Sequence, residues 1–433
     1  MVARGARPEH KVVHRCMPAD EMPTWLNHLI DLLSDERFAP ELRAPAAWPA
    51  GLGPQQDYSF YNMASEEDTS FGKAGEIMAH GHKAVKVLGM ALATLAAVAA
   101  GVILVYRDNN LHTEERLIAK AYEAGFFEKQ AEVDGSTINY AEGPSNGPAL
   151  LLIHGQGMEW EDYASALPEL AKRYHVFSVD CFGHGESAHD PSLYSCVENG
   201  NRLIAFAGQI IGENYVVSGH SSGGILAAYV ASNDREHVSA CMLEDPPLFR
   251  VTPEEAQVGA GTFAWHDGYI IAHSFLQQNE VTAYPAWYAS HSYLFGLFGG
   301  LQELLAQQTA TFCAEHPHEH ATNAWVPRAW TRGMYFMDDW DPRFGESFYD
   351  GSWMAGIDQE GMLKQIECPV VYLKAKTNYG KDGVLYAATT DEDGKRVQQA
   401  IPHCETIEIV SGHDIHTEHP DAFVDAVDRA APH

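Results

Sequence analysis

Val216-Val217-Ser218-Gly219-His220-Ser221-Ser222-Gly223-Gly224 is the stretch from which the rest of the chain is read. Apolar residues give way to small ones, so it reads as the end of a buried strand, a tight turn and the start of a helix. Residues 219–223 fit G-x-S-x-G, in which a strained strand-to-helix turn lifts a Ser hydroxyl clear of the sheet. Glycine on both sides of Ser221 suits a turn where strand and helix backbones pass too close for a Cβ. Three fixed positions in five residues also occur as a bare Gly/Ser turn, so the flanking sequence decides.

Upstream, Ala149-Leu150-Leu151-Leu152-Ile153 is a continuous apolar run of strand length. Such runs suit a central parallel strand covered on both faces. It ends in His154-Gly155-Gln156-Gly157. A helix-like segment (163–174) leads to a second apolar strand, 176–179, followed by Asp180-Cys181-Phe182-Gly183-His184-Gly185-Glu186-Ser187. A further helix precedes the strand that enters the Ser221 turn. Strands alternating with helices imply a doubly wound, mostly parallel α/β sheet. Before it, a polar helix-like stretch (113–127) precedes residues 131–140, which alternate around Asp134-Gly135 and read as a hairpin.

A Ser hydroxyl needs a base within hydrogen-bond reach to act as a nucleophile. His413 stands in Ser411-Gly412-His413-Asp414-Ile415-His416, a loop straight after an apolar strand, with His416 and His419 close behind. The ordered run His154-Gly155-Gln156-Gly157, Asp180-x-x-Gly183-His184-Gly185-x-Ser187, Gly219-His220-Ser221-Ser222-Gly223 and Gly412-His413 resembles the α/β-hydrolase superfamily. The resemblance covers roughly residues 130–430 and is specific to the superfamily, not to one member. It implies Ser221 as nucleophile, His413 as general base and the backbone N–H groups of Gln156 and Ser222 as oxyanion hole, with no cofactor and no metal. It sets aside dehalogenases and epoxide hydrolases, which carry Asp where Ser221 stands. Asp180 and Ser187 read as pins of a tight loop, and His184 as architectural.

The acid departs from the superfamily pattern. It usually follows the penultimate strand, here 369–373, but Asn378 stands about where that Asp belongs. The next carboxylate, Asp382, is the first choice. Glu244 or Asp245, after the preceding strand, is the alternative, and Asp391 and Asp393 complete the set. An Asp before Pro, as at position 245, also merely shapes turns.

Residues 246–365 are too long for a plain connection and must fold on themselves. They carry nearly half of the chain's aromatic residues. The resemblance implies a mainly helical cap roofing the site, some of whose aromatics line an apolar pocket with few polar anchors. The acidic stretch 337–343 disfavours a polyanionic substrate.

The 433 residues include 28 Lys+Arg against 59 Asp+Glu, a net charge of −31. Such a chain repels nucleic acid and anionic lipid headgroups. Seven scattered cysteines without C-x-x-C exclude a zinc ribbon and a dense disulfide framework, while leaving room for one or two disulfides. Cys313-Ala314-Glu315-His316-Pro317-His318-Glu319-His320 fits no standard zinc spacing and reads as a polar loop.

The Pro-, Gly- and charge-rich N-terminus, with one amphipathic patch at 25–33, reads as poorly ordered, and Met63 resembles an ordinary translation start. Val87–Tyr106 is a run of 20 uncharged residues, enough to span a bilayer core. An uncleaved anchor exporting the following bulk is expected; cleavage as a signal peptide at Ala97-Val98-Ala99 is the rival and would make the protein secreted. The expected plan is a low-order extension (1–82), an anchor (83–108), a first α/β-core segment (109–245), a cap (246–365) and a second α/β-core segment (366–433). The expected function is a membrane-anchored serine hydrolase cleaving a carboxylic ester of a small apolar substrate. Amidase, thioesterase, lactonase and C–C hydrolase readings stay open on the same residues. A non-catalytic ligand-binding protein is the rival from another class. The sequence sets no oligomeric state.

Overall fold

The computed structural model describes residues 70–431 apart from His318, with the backbone alone for 70–92. The chain divides into two units, residues 1–83 and 84–433. The expectations for residues 1–69, including the patch at 25–33 and a start at Met63, lie outside the described residues. Of the first unit, residues 70–83 are helical.

Helix α1 (Ser70–Glu123) contains the apolar run Val87–Tyr106. Among the described residues no helix is long and apolar enough to cross a membrane; the side chains of 87–92 lie outside them. The helix does not end at Arg107-Asp108, where the apolar run closes. The helix runs on through polar residues to Glu123, because that last stretch packs against the rest of the chain. Tyr106 Oη donates to the Trp325 carbonyl (3.2 Å), Asn110 Nδ2 to the Ala324 carbonyl (3.1 Å), and Glu114 pairs with Arg328 (2.6 Å).

Next come β1 (Phe127–Val133) and β2 (Ser136–Glu142), antiparallel, with Val133 opposite Ser136. Asp134 and Gly135 between them have φ of 47° and 78°, the left-handed pair that a two-residue hairpin turn requires. The remaining strands are β3 (Ala149–Ile153), β4 (His175–Val179), β5 (Tyr215–His220), β6 (Val238–Glu244), β7 (Val370–Ala375) and β8 (Cys404–Ile409). The eight-stranded sheet runs β1-β2-β4-β3-β5-β6-β7-β8, and β3 to β8 are mutually parallel.

Alternation along the strands shows why they are apolar throughout. Leu151 and Val217 belong to one buried cluster, with Leu203 and Phe206 of helix α2 (Cys196–Phe206) and Ile225 of α3 (Ser222–Asn233). Leu150, Leu152 and Val216 point the other way, into a cluster with Phe423 and Val427 of the C-terminal helix Pro420–Ala430. Both faces are covered, so neither parity of residue tolerates a polar side chain.

The helix expected over 163–174 is broken: a 3-10 turn (Trp160–Ser165) precedes a single helical turn (Leu167–Leu170) with Pro168 at its start. Proline cannot donate the hydrogen bond that would continue one helix through that point.

Residues 246–365, between β6 and β7, fold into helices, the longer of which are α4 (Ile270–Leu276), α5 (Tyr284–His291), α6 (Gln302–Glu315), α7 (Arg328–Phe336) and α8 (Pro342–Tyr349). The six described cysteines carry free thiols.

Candidate active site

Strand β5 delivers the chain to Ser221, and α3 begins at Ser222. Ser221 itself has φ 54° and ψ −123°. A non-glycine residue held there costs about 1–3 kcal/mol, which the surrounding bonds must offset. Ser221 N–H donates to the Glu244 carbonyl (3.0 Å), and Gly224 N–H to the Ser221 carbonyl (2.9 Å). A Cβ on Gly219 would stand 2.0 Å from the Gly223 oxygen, and one on Gly223 2.2 Å from the Ile153 oxygen. The two glycines therefore let strand, turn and helix close on one another.

Ser221 opens into a cavity of about 400 Å³. Gly155, Gln156, Gly157 and Met158 line it from the loop after β3, Ser222 from the start of α3, and Gly412, His413 and Asp414 from the loop after β8. The first N–H groups of a helix have no partner inside it, and Ser222, the first residue of α3, lines this space. Residues of the 246–365 insertion complete the wall, with aromatics such as Tyr269, Tyr284, Trp330, Trp340 and Phe348 beside the charged Arg250 and Asp267.

His413 Nδ1 lies 2.7 Å from Oδ2 of Asp245. Asp245 is fully buried at the end of β6, with φ 40°. Its carboxylate also accepts from the N–H of Ala375 (3.0 Å) and Ala388 (3.4 Å). Burial opposes charge on the His413 imidazole. The hydrogen bond to Asp245 and the charges of Asp245, Asp414 and Glu244 outweigh it and hold the ring above its ordinary range. With Nδ1 turned to Asp245, Nε2 is the nitrogen left to take a proton.

The first-choice acid, Asp382, does not join this group, and that expectation is corrected. It sits in a turn between Tyr379 and Leu385, exposed, where it accepts from the Tyr293 hydroxyl (2.7 Å). The loop after β7 is long and folds toward the insertion, so the carboxylate nearest in sequence points away from the base. Asp391 accepts from Thr377 (2.5 Å), and Asp393 pairs with Arg250 (2.7 Å). Glu244, one residue before Asp245, projects to the other side and takes a different histidine: its Oε1 accepts from His416 N–H (2.7 Å) and lies 2.8 Å from His416 Nδ1.

That second histidine belongs to a buried charged network absent from the sequence reading. His416 Nε2 is 3.1 Å from Oδ1 of Asp162. Arg332, on α7, donates to the Asp162 carbonyl (2.7 Å), pairs with the Asp162 carboxylate, and lies 3.6 Å from Asp414 and 3.7 Å from Glu114. His220 lies 3.2 Å from the His413 carbonyl and 3.8 Å from Asp162. Burial lowers the His416 pKa, but Glu244 and Asp162 on its two sides outweigh this and raise it to about 10. Burial also resists charge on Asp162; Arg332, His416 and His220 hold it well below the ordinary carboxylate range. The network ties the His413 loop, the turn at Ser221, α1 and the insertion together. His416 carried a signal, being three residues after His413 as Glu244 abuts Asp245; Asp162 and Arg332 carried none, since neither stands in any motif.

Two further histidines fix the loop bearing Gln156. His154 Nε2 accepts from Cys181 N–H (2.9 Å) while its Nδ1 meets the Gly155 carbonyl (2.7 Å). His184 Nε2 accepts from Gly157 N–H (3.0 Å) while its Nδ1 meets the Phe182 carbonyl (3.1 Å). One nitrogen of each ring must accept, so both rings are neutral, and burial lowers the His154 pKa to about 4. Ser187 Oγ donates to the Asp180 carbonyl (2.7 Å) and accepts from Asn139 N–H (2.8 Å), pinning the neighbouring loop.

Residues 150–426 match the alpha/beta hydrolase family model. The chain belongs to that family. Among curated relatives, a dihydrolipoyllysine-residue acetyltransferase component of the acetoin cleaving system of Cupriavidus necator is 30% identical over 119 residues, 28% of this chain and 32% of that one. A probable 1-acylglycerol-3-phosphate O-acyltransferase of Oryza sativa subsp. japonica is 25% identical over 197 residues, 42% of this chain and 47% of that one. The chain spans about a third to a half of the length of these relatives. Among solved structures, a hydrolase from Pseudomonas aeruginosa PA01 aligns with a TM-score of 0.48 at 17% identity, covering 69% of this chain and 96% of that one.

Proposed function

We propose that this protein is a serine hydrolase that cleaves a carboxylic ester of a small apolar substrate through Ser221, His413 and Asp245, with the insertion acting as its cap. The observation that carries the reading is the 2.7 Å contact between His413 Nδ1 and the buried Asp245 carboxylate, on a histidine that shares one cavity with Ser221. Asp245 orients the imidazole and stabilises its charged form, leaving Nε2 to accept the Ser221 proton. Ser221 Oγ bonds to the ester carbonyl carbon, and the carbonyl π pair moves onto oxygen. That oxyanion accepts from the Gln156 and Ser222 amides, whose neighbours His184 and α3 keep them aimed before any substrate arrives. The C–O bond to the alcohol then breaks, and His413 gives the alcohol its proton. Water, deprotonated by His413, repeats the addition at the acyl carbon and frees Ser221.

The aromatic wall favours an apolar acyl or alcohol group, whose burial contributes about 25 cal/mol per Å² removed from water. Amide, thioester, lactone and carbon–carbon substrates would use the same three side chains, and ester is put ahead of amide because an ester carbonyl is less resonance-stabilised than an amide carbonyl and is attacked more readily. The test is turnover of p-nitrophenyl esters of increasing acyl length by wild type and Ser221→Ala. Turnover lost in Ser221→Ala supports the reading. Equal residual rates in both proteins, with the cavity still binding apolar ligand, would favour a binding protein instead.

A further inference from the structure

The insertion reaches the His413 loop through one arginine. Arg332 lies on α7, whose Ala329, Trp330 and Gly333 line the cavity, and is itself only 3% exposed. Its guanidinium meets three carboxylates from three separate segments. Nη2 pairs with Asp162, Nε lies 3.7 Å from Glu114 of α1, and Nη1 lies 3.6 Å from Oδ2 of Asp414. Nη2 also donates to the Asp162 carbonyl (2.7 Å), whereas Nε and Nη1 are buried without a hydrogen bond. A buried N–H left unbonded is costly, and at Nη1 the attraction of the Asp414 carboxylate offsets that cost.

Asp414 directly follows His413 and lines the cavity beside it. Its other oxygen, Oδ1, lies 3.5 Å from Nε2 of His220, and the same nitrogen is 3.2 Å from the His413 carbonyl. The two imidazoles stand 4.5 Å apart, centre to centre. His220 precedes Ser221, so contacts run unbroken from the insertion through Arg332, Asp414 and His220 to the base and to the nucleophile turn. The titratable groups facing His413 are Asp245 and Glu244 from the end of β6, His220 from β5 and Asp414 from its own loop. His416 stands behind His220, and Glu418 holds the loop by accepting from Gly412 N–H (2.9 Å). Asp245 is the carboxylate that orients the ring. Asp414 is a second one, and left unopposed its charge would favour the imidazolium, which takes no proton.

We propose that Arg332 and Asp414 are a positioning pair for His413: Asp414 pins the loop at His220, and Arg332 offsets part of the Asp414 charge so that the ring stays free to accept the Ser221 proton. The role rests on the proposed reading of Ser221 as nucleophile and His413 as base. It gives the insertion a part in the chemistry as well as in lining the cavity, because Arg332 belongs to the insertion while Ser221, His413 and Asp245 belong to the core.

The rate at which a fluorophosphonate labels Ser221, followed from about pH 5 to 9, reads the ionisation of His413 whatever the substrate. Asp414→Asn, at a side chain 25% exposed, should keep the wild-type circular dichroism and slow the plateau rate about tenfold. Its acid limb should move down by about half a pH unit or more. Arg332→Met should move the limb up by a similar amount, and Arg332→Lys, which restores the charge, should bring it back. A pair that only held the fold would slow labelling in both variants without displacing their limbs in opposite directions. Should Arg332→Met fail to fold, Asp414→Asn alone decides. A folded Asp414→Asn with the wild-type limb, or limbs displaced the same way in both variants, would overturn the pairing and leave Ser221 as the nucleophile. A wild type that takes no label would overturn the reading of Ser221 itself, and the pairing with it.

Discussion

Asp245 Oδ2 and His413 Nδ1, 168 positions apart in the chain, meet at 2.7 Å beside the cavity into which Ser221 opens. The carboxylate beside His413 thus follows β6, one strand earlier than the Asp382 position, and in the proposed triad it is the acid. Replacing Asp245 by Asn keeps the shape but offers the wrong hydrogen-bond pattern to the imidazole, and a loss in kcat on the order of 10³ to 10⁴ is expected. Asp382→Asn removes an exposed contact to Tyr293 and should leave kcat within about threefold, a surface pair being worth little. Steady-state kinetics of the two variants on one ester separates these outcomes.

The same contact sets a pH dependence. His413 must be neutral to take the Ser221 proton, so activity should rise with pH as the ring loses its charge. Against burial, Asp245, Asp414 and Glu244 hold its pKa above the ordinary 6.5, and the acid limb of kcat/KM should lie above that value. In Asp245→Asn the limb should move down. A wild-type limb at or below 6.5 would contradict the electrostatics described for this histidine.

The second histidine affects stability rather than chemistry. His416 is raised from 6.5 to about 10 between Glu244 and Asp162. A raised pKa contributes stability that is fully present below 6.5 and is lost as pH rises through about 10. His416→Gln should therefore destabilise the protein near neutrality, by about 3–5 kcal/mol, since two buried carboxylates lose their partner. The difference should shrink toward alkaline pH. Denaturant melts that stay parallel across that range would rule out the charged form of His416.

Gly223→Ala should be more damaging than its size suggests. The added methyl would meet the Ile153 and His154 oxygens at 2.2 and 2.3 Å, backbone atoms that cannot swing aside. Loss of several kcal/mol, or of soluble expression, is expected. Ala227→Gly, in the middle of α3 and fully buried, serves as the comparison and should cost about 2 kcal/mol, from helix propensity and the lost buried methyl. Equal melting temperatures for the two variants would show that the turn relaxes.

What the sequence conveyed depended on how local each signal was. The hairpin at Asp134-Gly135, the buried run 149–153 and the turn at Ser221 each depend on a few adjacent residues, and each is found where it was read. Asp382 was put first, and the carboxylate found beside His413 is that of the alternative, Asp245, because the outcome depends on how the loop after β7 folds. Asp382 lies nearer in sequence to the expected position, yet the loop carries it toward Tyr293. The Arg332–Asp162–His416–Glu244 network was illegible, since its members come from four separate segments and none needs a fixed neighbour. The apolar run 87–106 and the polar stretch 113–127 were each legible as helical, but their joining into one helix that ends at Glu123 and contacts Trp325 and Arg328 was not.

The most direct test of the Ser221–His413–Asp245 assignment is the rate of labelling by a fluorophosphonate, with the modified peptide mapped by mass spectrometry. Wild type and Asp382→Asn should both be phosphonylated on Ser221 at similar rates, while Asp245→Asn reacts slower by orders of magnitude and Ser221→Ala takes no label. Labelling at another residue, or a slow Asp382→Asn beside a fast Asp245→Asn, would contradict it.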